Sequence, residues 1–157
     1  MRLKSHAVVV ALAVVSMCVF WTPAIDAQGQ NVIVGSWERV SLKNAAGAVT
    51  QPPAPAAFLI FGADGFFSQT AIPTGRKKLD KPLAQMTKEE LVERFQRVEA
   101  RRGTYTVAGN KLTRRNISQA DPNQEGTEQT QEFKIEGGVL ILTSPTSKAE
   151  ARFRRAK

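Results

Sequence analysis

Gly62-Ala63-Asp64-Gly65, Ala108-Gly109-Asn110, Gly137-Gly138 and Ser144-Pro145-Thr146-Ser147 cut this chain into short segments. Asp-Gly suits the positive φ of a tight hairpin, and Gly-Gly between apolar runs reads the same way. The segments between these turns are rich in β-branched and aromatic residues, which favour strands. They predict strands at 35–43, 57–61, 66–71, 104–107, 111–117, 128–136, 139–143 and 148–155. Alternation puts Gln129, Gln131, Phe133 and Ile135 on one face, and Ala149, Ala151 and Phe153 opposite Arg152 and Arg154. In 111–117, Leu112 is the clearest inward residue. About eight short strands separated by turns imply an all-β barrel or sandwich. Closing such a meander removes its exposed edges. Residues 51–56 hold Pro52, Pro53 and Pro55 and read as an extended loop, because proline offers the ladder no N–H.

One segment departs from this pattern. Thr87 followed by Glu90 is a capping box, and Leu91, Phe95 and Val98 make an apolar stripe at helical spacing. Glu90–Arg94 and Glu93–Arg97 are spaced to pair on the wet side. The pattern predicts a helix over about 88–101, stopped by Gly103, with its stripe packed on the barrel wall.

The chain has 157 residues, enough for one domain. Arg2 and Lys4, the apolar run from Ala7 to Trp21, Pro23 and the small residues around Ala27 have the order of a secretory signal peptide. The run falls short of the about 20 residues that span a bilayer. The expectation is a leader over 1–27 and a domain over 28–157, exported to the periplasm or secreted. Cleavage would remove Arg2, Lys4 and Asp26 and take the net charge from +8 to +7. It would also remove His6 and Cys18, the sole histidine and cysteine. The remaining domain then offers no zinc site of the usual kinds, no Cys–His or Ser–His–Asp nucleophile and no disulfide. Neither a metal nor another cofactor is expected, and catalysis would rest on carboxylates, Lys, Tyr105 or Ser.

Val34-Gly35-Ser36-Trp37-Glu38-Arg39-Val40-Ser41 opens the domain. Phe61-Gly62-Ala63-Asp64-Gly65-Phe66-Phe67-Ser68 follows as strand-turn-strand, then Gly103-Thr104-Tyr105-Thr106-Val107 after the helix. Leu140-Ile141-Leu142 and the tail Phe153-Arg154-Arg155 complete the set. In order and spacing these motifs resemble the small bacterial lipocalin-like family. The chain departs from its relatives at Phe153, often a Trp, and at Arg39, usually aliphatic. The resemblance implies an antiparallel up-and-down barrel of about eight strands with one inserted α-helix. It also implies that Gly35 and Trp37 close the floor, with a late guanidinium on the indole face. The tail offers Arg152, Arg154 and Arg155; Arg152 and Arg154 are assigned to closure.

The family's barrels imply a binder of a small, mainly apolar molecule, although a fold alone does not fix an activity. Trp37, Arg39, Phe67, Tyr105 and Phe133 are the ligand-binding candidates. Each has a plainer reading: Trp37 as a floor plug, Tyr105 as a satisfied core tyrosine, the phenylalanines as core. A barrel of eight strands is just wide enough to be filled by side chains or to hold one small ligand. Arg39 shares a strand face with Trp37. If that face points inward it needs Glu128, Glu132 or a ligand carboxylate; a bulge would leave it solvated. Arg76-Lys77-Lys78, Lys81 and Arg101-Arg102 lack interleaved aromatics, so no nucleic-acid partner is expected. Weak contact with anionic lipid headgroups is a milder reading of these charges, and a solvated loop the plainest. Two alternatives stand beside the binder: a solid-cored envelope interaction module, and, last, an isomerase or cyclase using carboxylates.

Overall fold

The computed structural model describes residues 32–50, 56–76, 80–96 and 98–157. The expected leader, most of the proline-rich loop, Lys77, Lys78 and Arg97 lie outside the described residues.

Nine strands follow in chain order: β1 (Gly35–Lys43), β2 (Val49–Thr50), β3 (Ala56–Phe61), β4 (Phe66–Ile72), β5 (Glu99–Ala108), β6 (Lys111–Gln119), β7 (Glu128–Glu136), β8 (Val139–Thr143) and β9 (Glu150–Arg155). From β3 to β9 each strand pairs antiparallel with the next, and β9 returns to pair with β1. Eight strands thus close a barrel. The two-residue β2, which sequence did not suggest, only extends β1 through Leu42↔Thr50 and Lys43↔Val49.

The hairpins form where turn residues permit them. In the β3–β4 turn Gly62 N donates to Phe66 O at 2.8 Å, and Asp64 Oδ1 accepts from Phe66 N at 3.1 Å. Gly137 and Gly138 both have positive φ, the conformation that a two-residue hairpin of the right twist demands. Alternation then sorts the side chains: Phe67, Gln69 and Ala71 of β4 are buried, as are Leu112, Arg114 and Asn116 of β6.

The barrel has two unlike ends. At the floor lie the start of β1, the end of β9 and the tight hairpins β3–β4, β5–β6 and β7–β8. Trp37, Phe61, Tyr105, Leu112, Leu140 and Phe153 belong to one buried cluster. The long β4–β5 and β6–β7 connections leave from the mouth.

The helix is shorter than its sequence pattern suggests. α1 spans Lys88–Phe95, with the Thr87–Glu90 capping box formed as expected. It stops there because residues 99–102 are taken into β5, with Glu99 opposite Ala71 and Arg101 opposite Gln69. Extension to 101 would sacrifice those ladder hydrogen bonds. Val98 therefore lies outside the helix, and the expected packing of the stripe does not occur: α1 buries none of its residues, and Val92 and Phe95 are exposed. Polar contacts hold it instead, including Lys81–Glu90 at 2.9 Å and Arg76 Nη2 donating to Arg94 O at 3.1 Å.

The ladder between β5 and β6 slips by one residue between Arg102 and Gly103. Gly103 is the residue that lets the strands approach there. A Cβ on it would strike the Arg115 carbonyl and come within 3.0 Å of the Phe67 ring. Gly103→Ala should therefore cost about 1–3 kcal/mol, the usual range for forced overpacking, read as a lower midpoint in urea unfolding.

Candidate functional site

The interior is closed at the floor by a stacked cation. Trp37 is fully buried, and its Nε1 donates to Ile33 O at 2.7 Å. Arg155 lies over the indole with Cζ 3.9 Å from the ring centroid. Its Nη2 donates to Val32 O at 3.1 Å and its Nη1 to Val34 O. Gly35, at φ +123°, lies directly under the guanidinium, where a Cβ would collide with Nη1. Gly35 and Trp37 lie together at the floor, and the cation over the indole is Arg155 rather than Arg152 or Arg154. Strand parity is the reason. Phe153 points inward, so Arg155 shares its face, while Arg154 turns outward to Glu38 at 2.9 Å and Arg152 to Glu150 at 3.3 Å.

Tyr105 also belongs to the floor. Its hydroxyl donates to Gly62 O at 2.7 Å, its amide to Gly65 O at 2.8 Å, and its ring meets Phe61 edge-on at 4.8 Å. Phe133 joins the same buried cluster. Three of the five ligand-binding candidates (Trp37, Tyr105 and Phe133) are thus packed into the floor. Phe67 faces both ways, touching that cluster and carrying the Arg114 guanidinium 5.5 Å from its ring centroid.

Above Phe67 the interior changes character. Arg114 is only 3% exposed. Its Nη1 donates to Gln69 Oε1 at 2.8 Å, and its Nη2 to Gln129 Oε1 at 2.9 Å and to Gln131 Oε1. Gln69 Oε1 also accepts from Arg101 Nη2 at 2.9 Å, while Gln69 Nε2 reaches Glu99 at 3.5 Å. Each of these acceptors of Arg114 is a neutral amide. Among the described residues, neither Arg101 nor Arg114 ion-pairs with a carboxylate, and the Nε of each is buried without a hydrogen bond, as is Gln119 Oε1. On the outer face of the same strands a shallow depression of about 360 Å³ is lined by the exposed Ser68, Thr70, Ala100 and Arg102.

Arg39 completes this group. It sits opposite Phe153, just before a slip in the β1–β9 register, and is partly buried. The bulge therefore does not turn it out to solvent. The acid whose charge bears on it is Glu99 rather than Glu128 or Glu132. Burial pushes all three guanidinium pKa values down, and Glu99 opposes the shift in each. For Arg114, burial and then the neighbouring Arg101 bring it to about 9. At neutral pH Arg114 is still charged. The energetic penalty for holding that charge is fully present below about pH 9 and fades only as pH rises above it.

Sequence reasoning reached Arg39 but missed Gln69, Arg101 and Arg114. For Arg114 the signal was available, since it lies two residues from Leu112 and so shares its face. Arg101 was concealed by the overlong helix. The basic cluster at 76–81 forms no such site in its described part: Arg76 and Lys81 brace α1. Among the described residues no group of His, Cys, Asp and Glu could hold a metal ion.

The family model of the lipocalin-like domain matches residues 34–156. A lipocalin-like protein from Bacteroides uniformis superposes with a TM-score of 0.52 at 14% identity, covering 79% of this chain and 98% of its own. An uncharacterized protein from Bacteroides eggerthii does so with 0.50 at 13%, covering 79% and 99%. At such identities the likeness establishes the fold alone. A search of curated proteins returns no match.

The two neighbouring tail arginines should behave differently on truncation. Arg155→Ala removes a stacked cation and its bonds to carbonyls, and should cost about 2 kcal/mol. Arg154→Ala breaks an exposed ion pair and should cost less than about 1 kcal/mol. Paired urea titrations followed by Trp fluorescence measure both.

Proposed function

Because the chain belongs to the lipocalin-like domain family, we propose that it is an exported barrel that binds a small, mainly apolar molecule and carries out no chemistry on it. The observation that carries this reading is the division of the interior. Aromatic and leucine side chains close the floor. Beyond Phe67 the inward positions of β4 are Gln69, which meets Arg101 and Arg114, and then Ala71 nearest the mouth, opposite Ala57 of β3. Alanine projects little into a barrel of this width. Export follows from the leader-like residues 1–27, and the absence of His and Cys after them withdraws the commonest catalytic groups.

Native mass spectrometry of the protein purified from its own host tests this reading, together with titration by the neutral fluorophore N-phenyl-1-naphthylamine. The expected result is a co-purifying small molecule, or saturable enhancement of the probe's emission at one site per chain. A single unliganded mass combined with no saturable probe binding would remove the reading.

A further inference from the structure

We infer that the arginine group toward the mouth recognises an anionic head on the guest: a compact oxyanion, carboxylate or phosphate monoester, at the end of an apolar body. This rests on the binding role proposed above and specifies its ligand class.

The guanidinium groups of Arg101 and Arg114 share the field of one carboxylate, Glu99. A barrel that needed only polar filling would be better served by neutral groups. Replacing a whole buried ionic group by well-packed apolar residues of similar volume is often neutral or stabilising. The environment of Arg114 is built to position a cation without neutralising it. Gln69, Gln129 and Gln131 fix its two terminal nitrogens through amide oxygens, and Phe67 lies against it. Gln69 binds Arg101 with the same oxygen, so both cations are held together on one acceptor.

The donors left over are the Nε atoms of Arg101 and Arg114. An oxyanion accepts charge-assisted hydrogen bonds from such groups, and guanidinium matches the geometry of carboxylate and phosphate oxygens. Arg101 is only partly buried, which puts this end of the group within reach of solvent. The apolar body would lie against Ala57 and Ala71, on the mouth side of the arginine group.

Calorimetric titration of the full chain with octanol, octanoate and octyl phosphate tests this, using wild type, Arg114→Met and Arg101→Met. In wild type at least one anion should bind about tenfold or more tightly than octanol, a difference of about 1.4 kcal/mol. The anion that binds tighter identifies the head as carboxylate or phosphate. In Arg114→Met that preference should shrink to about twofold or less. A purely structural arginine would leave the preference intact. Should Arg114→Met fail to fold by near-ultraviolet circular dichroism, Arg101→Met decides, since its side chain is partly exposed. Octanol binding as tightly as both anions overturns the head-group inference and leaves the binding role standing. No binding of any of the three, with no probe binding either, overturns both.

Discussion

The pairing of β9 with β1 is the constraint from which the rest follows. Until those strands meet, the sheet has two faces and two edges, and an inward-pointing polar residue can still reach water. Once they meet, one face becomes an interior. Every residue of the right parity is then committed to it, whatever its chemistry. Trp37 and Arg155 lie on that seam, opposite one another in register. The same contact therefore joins the first strand to the last and stops the floor. Outside the barrel, Glu38 and Arg154 tie the next pair along the same seam.

Closure also explains the unevenness of the inside. A small barrel can satisfy its hydrophobic demand with roughly half its length, and here the floor does so with large aromatic and leucine side chains. The remaining inward positions carry Gln69, Arg101, Arg114 and Asn116. Asn116 serves the architecture directly. Its Nδ2 donates to Thr127 Oγ1 at 3.1 Å and its amide to Thr127 O at 3.0 Å, pinning the β6–β7 connection. The arginines bond only to side chains, Arg101 to Gln69 and Arg114 to Gln69, Gln129 and Gln131. They hold charge in a poorly solvated place and are oriented by amides that leave the charge intact.

Much of this architecture was legible in local chemistry. Asp64-Gly65 and Gly137-Gly138 can only turn, and the strands on either side of them begin and end where those turns require. The limits of β1, β7 and β8 follow directly. Two errors came from a single kind of competition. The helical spacing runs on to residue 101, but residues 99–101 supply ladder partners of β4, and a ladder formed across the chain outweighs a stripe that has nothing to pack on. Arg155 and Arg114 were readable by counting in twos from Phe153 and Leu112. What sequence could not supply is which glutamines those cations would meet, because Gln69, Gln129 and Gln131 become neighbours only after the sheet curls.

The unburied helix has a kinetic meaning. α1 is held by its cap, by Lys81 and by Arg76, all exposed to water, while the ladder beneath it is continuous. Its opening free energy is therefore separate from that of the barrel, and its amide protons exchange with solvent on their own clock. Its two turns can melt and re-form while every strand pairing of the sheet stays in place.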